Sequence, residues 1–267
     1  VNSLPNTIAQ IFLRDRNFYH GKIDGLWGPL SQAAAESWKA STQTAPSAPP
    51  DQIPTPDPVP EVPTPETSTL GIIDSDGWYT GAKRHPIGSG RRLARKLGII
   101  EHATSGASPG SPIEQWENAD NGILAHFLIE RDGSITQCRS CEEECGHAYP
   151  SEWTDPVTGE MLNNLNHCTI GIEHNNAESD PAAMAWARKQ PGFSSIHAVH
   201  PNGGGSQEWE CYPDAQIQAS ITLQKAIIAR YGIHFLVGHE EVAPQHRDDP
   251  GPAFPWAKIR AALNFHR

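Results

Sequence analysis

The chain has 267 residues, enough for one large domain or two. Its formal net charge of -11 argues against nucleic acid as a partner, because phosphate binding needs a basic surface. No apolar run approaches the ~20 residues of a membrane span, so membrane insertion is not expected. No secretory signal is visible, although a chain that begins at Val1 decides little on that point.

Residues 6–20 read as a short amphipathic helix with Ile8, Ile11, Phe12 and Phe18 on one side. Gly21-Lys22-Ile23-Asp24-Gly25-Leu26-Trp27-Gly28-Pro29 follows as a turn-rich loop. Ser31 is then placed to cap a second helix through Ala33, Ala34, Ala35 and Trp38. Residues 41–69 change character. Nine of the 24 prolines fall between Pro46 and Pro65, among Thr, Ser, Asp and Glu, with four carboxylates and no basic residue. Such a segment cannot bury a core and favours extended polyproline II. At about 3.1 Å per residue it reaches roughly 80 Å, a tether between two modules. The expected division is therefore a small all-α unit over 1–40, a linker over 41–69 and a larger domain over 70–267.

Within that domain, 71–96 reads as a loop with a short helix, and 97–101 as a strand. Residues 123–130 and 134–137 read as a hairpin about Arg131-Asp132-Gly133. Residues 168–174 read as a buried strand. Residues 214–231 are the clearest helix, with Asp214 at its cap, Ile217, Ile221 and Ile228 on one face, and Gly232 at its end. A last strand, 233–237, delivers His239. Strands interleaved with helices imply an α/β domain, a mixed sheet flanked by helices.

Gly238-His239 through Asp249-Pro250-Gly251 is dense in groups that bind a metal or a carbonyl. His102 ends the run Leu97 to Ile100, ahead of Thr104, Ser105 and Gly106. Two histidines and a carboxylate from the ends of different elements leave one tetrahedral position open, the pattern of a catalytic zinc.

Four segments in order carry a resemblance: Ile99-Ile100-Glu101-His102-Ala103-Thr104, Ala125-His126-Phe127-Leu128-Ile129-Glu130-Arg131-Asp132-Gly133, Thr169-Ile170-Gly171-Ile172-Glu173, and Val237-Gly238-His239 through Asp249-Pro250-Gly251. Together they resemble the type-2 N-acetylmuramoyl-L-alanine amidases, the family of AmpD-like enzymes, phage amidases and peptidoglycan recognition proteins. The resemblance covers roughly 70–267. Lys22-Ile23-Asp24-Gly25-Leu26-Trp27-Gly28 before an Ala-rich helix is similar to the three-helix peptidoglycan-binding domain of wall hydrolases, here with a shortened first helix.

The resemblance implies the type-2 amidase fold and a Zn²⁺ ion held by His102, His239 and Asp249. Asp249, not Asp248, precedes Pro250-Gly251 and matches the family ligand. Glu173 matches the glutamate that moves protons in the AmpD-like branch; the other branch has a tyrosine where this chain has Ala125. Arg247 stands where the family usually has lysine, as the group stabilising the oxyanion. His147, in Gly146-His147-Ala148, falls where many relatives have a substrate-side histidine. His126 reads as a packed strand residue. His167, His174, His197, His200, His234 and His246 carry no distinguishing spacing, and a surface or groove position is expected of each. Cys138, Cys141 and Cys145 could mimic a small structural zinc site; a disulfide within the group, or to Cys168 or Cys211, is the other expectation outside the cytoplasm.

The expected function is hydrolysis of the amide between N-acetylmuramic acid and L-alanine of peptidoglycan, by a monomer acting at the bacterial cell wall. The modular arrangement resembles phage endolysins. A bacterial autolysin, a cytoplasmic recycling amidase and a non-catalytic peptidoglycan receptor are the alternatives. The tether argues against the recycling enzyme, and the complete ligand triad against the receptor.

Overall fold

The computed structural model of the protein describes residues 29–33, 36, 71–106, 108–118 and 122–265. The chain divides between Thr64 and Pro65 into two units. In the first, residues 29–33 and 36 are helical, so Ser31 lies buried inside a helical run and does not cap it. The expected helix over 6–20, the Lys22 to Gly28 loop and the 41–69 linker lie outside the described residues.

The second unit is built on a six-stranded sheet. Its strands are β1 (Lys83–Arg84), β2 (Gly98–Ala103), β3 (Phe127–Ile129), β4 (Ile135–Gln137), β7 (Thr169–His174) and β10 (Phe235–Gly238), in spatial order β1-β4-β3-β7-β2-β10. β10, β2, β7 and β3 run parallel, and β4 returns antiparallel to β3. Two hairpins stand apart, β5 (Glu152–Thr154) with β6 (Met161–Asn163), and β8 (Ser195–Val199) with β9 (Ser206–Glu210). The helices are α1 (Ser111–Glu117), α2 (Pro181–Ala187), α3 (Asp214–Tyr231), α4 (His239–Val242) and α5 (Trp256–Leu263). Among the described residues no helix is long and apolar enough to cross a membrane.

Every residue of β2 and β10 is buried, as expected where a parallel sheet is covered on both faces. Alternation sorts their side chains. Ile99, Ala103, Phe127, Ile129, Ile170, Ile172 and Leu236 pack with Ile217, Ile221 and Ile227 of α3 and Ile259 of α5. Ile100, Phe235 and Val237 face the other way, against Ala148, Leu162, Leu165 and Val242. His102 shares the Ile100 face and pairs in register with Glu173. Their side chains therefore emerge together at the carboxyl ends of the strands, where open α/β sheets bind ligands.

Helix α3 runs over the expected span, but Pro213 holds the cap position and Asp214 is the first helical residue, its carboxylate in the first turn; the helix ends at Gly232, in the left-handed region at φ 65°, whose N–H reaches the Ile228 carbonyl. Its buried face differs from the expected one. Ile227, not Ile228, completes it, and Gln216, Ser220 and Gln224 are buried beside Ile217 and Ile221. Residues 71–96 form no helix; turns, β1 and isolated bridges take its place. The backbone there is satisfied from the 138–144 segment instead, through Ile87 N–H to Cys138 O (2.9 Å), Leu93 N–H to Glu142 O (2.7 Å) and Glu144 N–H to Arg91 O (2.8 Å).

Candidate active site

Four segments meet at this edge of the sheet: the end of β2, the end of β7, the β10–α4 junction and the 244–251 loop. They line a cavity of about 340 Å³ with His102, Ala125, His147, Glu173, His239, Arg247 and Asp249. Ser111, Gln115 and Trp116 of α1 form part of the opposite wall. Every site residue expected from sequence thus borders one cavity.

Three donor atoms face one another. His102 Nδ1 lies 3.0 Å from His239 Nδ1 and 3.1 Å from Asp249 Oδ2, and His239 Nδ1 lies 3.0 Å from the same oxygen. All three residues are almost fully buried. Among the described residues this is the one group of His, Cys, Asp or Glu arranged to hold a metal ion. Ligands ~2.0–2.1 Å from a tetrahedral ion stand about 3.3 Å apart, close to this triangle. Two imidazole nitrogens converging on one carboxylate oxygen away from water fit a shared cation, so the donor set suits zinc. Asp248 is exposed, and its side chain is absent from the cluster.

Burial and the neighbouring His239 push His102 down to about 4, against the pull of Asp249. Burial would raise the Asp249 carboxyl, but the two histidines beside it outweigh this and hold it below its usual range. Neutral imidazoles and an ionised carboxylate are the forms that bind metal. Burial, with Asp249 adding to it and Arg247 opposing it, holds the Glu173 carboxyl well above the ordinary range. Glu173 as a whole is partly exposed, yet its Oε2 is buried without a protein partner. Arg247 is exposed on the rim. His147 lines the wall while its two ring nitrogens meet His102 Nε2 (3.0 Å) and Thr169 Oγ1 (3.3 Å).

The loop carrying Asp249 is held by residues that sequence reasoning passed over. The Glu240 N–H donates to Asp249 O (2.8 Å), and Glu240 Oε2 accepts from the Gly251 N–H (2.8 Å). Tyr212 donates to Pro250 O (2.7 Å), His200 Nε2 to Asp248 O (3.0 Å) and Asn202 to Glu240 O (3.0 Å). A Cβ on Gly251 would come within 2.7 Å of the Trp209 ring, so the loop lies directly on that indole. His200 is thus a buried brace that also lines a groove, within the surface-or-groove expectation, whereas His174 is fully buried in the sheet's other face and does not take the position expected of it. Only contact order across the fold, not local spacing, reveals these braces.

All five thiols are free. Cys138 and Cys145 pack with Leu124 in a small apolar cluster, and burial pushes Cys138 up to about 12. The three-cysteine zinc site is not formed among the described residues.

Residues 94–252 match the family described as N-acetylmuramoyl-L-alanine amidase. Over 198 residues the chain is 34% identical to the N-acetylmuramoyl-L-alanine amidase AmiD of Escherichia coli K12, covering 71% of this chain and 60% of the relative. Over 143 residues it is 28% identical to the 1,6-anhydro-N-acetylmuramyl-L-alanine amidase AmpD of Citrobacter freundii, covering 53% and 57%. The chain therefore spans 57–60% of the length of these curated relatives. A crystal structure of a selenomethionine AmpD derivative shares the fold, with a TM-score of 0.54 at 23% identity over 72% of this chain and 99% of that one. Since the matched residues run from the approach to His102 through the Asp249 loop, the chain belongs to the type-2 N-acetylmuramoyl-L-alanine amidase family.

Proposed function

We propose that the protein is a zinc-dependent amidase that cuts the amide between the lactyl group of N-acetylmuramic acid and L-alanine in peptidoglycan. The observation that carries this reading is the 3.0–3.1 Å triangle of His102 Nδ1, His239 Nδ1 and Asp249 Oδ2, in one cavity with Glu173. A zinc ion bound there supplies a Lewis acid that polarises the scissile carbonyl and acidifies water. Glu173 takes the proton from the attacking water and returns it to the departing alanine nitrogen. Its raised affinity for a proton and its unpartnered, buried Oε2 suit both transfers. Arg247 places a permanent positive charge at the rim, where negative charge develops on the carbonyl oxygen. His147 forms part of the wall against which the substrate lies.

The N-terminal segment, 1–40, is proposed as a wall-binding module on the 41–69 tether. A tether raises the local concentration of the catalytic unit on a polymer and gives little advantage on a diffusible substrate. This favours a monomeric phage endolysin working on the cell wall, with a bacterial autolysin as the second reading of the same features.

Digestion of purified peptidoglycan, with products read by mass, tests the reaction. Stem peptides beginning with L-alanine, lost with a chelator and restored by zinc, are expected. Glycan fragments or cuts within the peptide would overturn the assigned bond, and products unaffected by chelation would overturn the metal.

A further inference from the structure

We infer that His147 is a positioning residue that fixes the tautomer of His102 so that its Nδ1 lone pair faces His239 and Asp249; this rests on the metal site proposed above. The chain of hydrogen bonds has a defined direction. Thr169 Oγ1 donates its proton to the Leu165 carbonyl (2.7 Å), an acceptor that cannot reverse. The hydroxyl oxygen is then left to accept from His147 Nε2–H (3.3 Å). With that proton on Nε2, neutral His147 presents a lone pair at Nδ1, 3.0 Å from His102 Nε2. His102 must therefore carry its proton on Nε2, which leaves Nδ1 free of one. The opposite tautomer would aim two lone pairs at each other on one side and a proton at the cation site on the other.

The surrounding backbone is shaped for this ring. Asn166 Oδ1 accepts from the N–H groups of both His147 (3.0 Å) and Ala148 (2.6 Å), which fixes where the side chain leaves the loop. Gly171, in the middle of β7, lies directly under the imidazole. A Cβ there would stand 2.6 Å from His147 Cγ and Nδ1, so any other residue at 171 moves the ring. His147 and Thr169 are both buried, and bulk water does not compete for these bonds.

The test measures zinc affinity, by competition with a chromogenic chelator, in the full chain and two variants. His147→Leu removes the acceptor at similar bulk and is expected to weaken zinc binding about 10–100-fold. His147→Asn keeps an oxygen where Nδ1 stood and is expected to stay within about threefold of wild type. Equal affinity in wild type and His147→Leu overturns the positioning role while leaving the metal site intact. No zinc binding by wild type overturns both. If His147→Leu does not fold, long-range ¹H–¹⁵N spectra of the zinc-loaded wild type decide. Protons on Nε2 of both His102 and His147 are expected, and a proton on Nδ1 of His147 refutes the inference.

Discussion

At the residue scale, the proposed roles of Glu173 and of the His102–His239–Asp249 triad are separable. Glu173 is not in the triangle of donor atoms, and its carboxyl is held protonatable mainly by burial. Glu173→Gln keeps the shape and removes the proton carrier. The expected outcome is a kcat lower by about 10²–10⁴-fold with zinc affinity unchanged. A variant that lost zinc affinity in parallel with activity would make Glu173 part of the metal site instead. The choice of Asp249 over its neighbour has a similarly local cause. Asp249 O and Pro250 O are pinned by Glu240 and Tyr212, so the aspartate turns inward while Asp248 stays exposed.

At the element scale, the β3–β4 turn is tied to β9 by one buried ion pair. Arg131 Nε and Nη2 donate to the two oxygens of Glu210 at 3.0 and 2.6 Å, and Glu210 Oε2 also accepts from the Ala177 N–H at 2.6 Å. Glu210 is 3% exposed. Arg131→Ala leaves that carboxylate buried and uncompensated, which costs about 3–5 kcal/mol. Urea unfolding is expected to show this loss, and Glu210→Gln added to Arg131→Ala is expected to recover part of it. An unchanged midpoint in Arg131→Ala would show that water reaches the pair. This bond also marks where sequence reading stopped. The three converging donor residues, the parallel strands and the span of α3 were legible because each rests on local pattern: apolar runs, a terminal glycine and ordered motifs. The β8–β9 hairpin was not, because Ser195–Val199 is short with Ile196 and Val199 exposed, Ser206–Glu210 is mostly polar, and their role comes from His200, Asn202 and Trp209 reaching a loop some 40 residues away. The same holds for the α3 face. Gln216, Ser220 and Gln224 recur at intervals of four, a polar row that apolar periodicity does not count, yet they are buried. Gln216 donates to Ile129 O (2.9 Å), and Ser220 pairs with His174 Nε2 (3.1 Å) where the helix packs on the sheet.

At the scale of the whole molecule, buried neutral histidines tie folding to pH. His126 is fully buried, accepts the Gly171 N–H at Nδ1 (3.1 Å) and donates Nε2–H to Glu143 O (2.9 Å). Only the neutral ring can do both. Burial, with nearby Arg139 and His102 adding to it and the Glu143 carbonyl opposing it, lowers His126 from 6.5 to about 4. The unfolded chain therefore binds a proton at a pH where the folded chain does not. His126's contribution is fully present above pH ~6.5 and is lost as pH falls from there towards ~4, at a cost on the order of 3 kcal/mol. Glu101 works in the opposite sense. Burial raises its carboxyl well above the ordinary range, so the folded state takes up its proton first and gains stability as pH falls. The total slope mixes the two signs, and the difference between wild type and His126→Gln isolates one of them. With chelator present to remove metal binding, His126→Gln is expected to be less stable than wild type at pH 7.5. That deficit should shrink by about 3 kcal/mol at pH 4, as read from urea midpoints. A deficit equal at both pH values would mean that folding leaves the proton affinity of His126 unchanged, and would overturn the role of the neutral ring between Gly171 and Glu143.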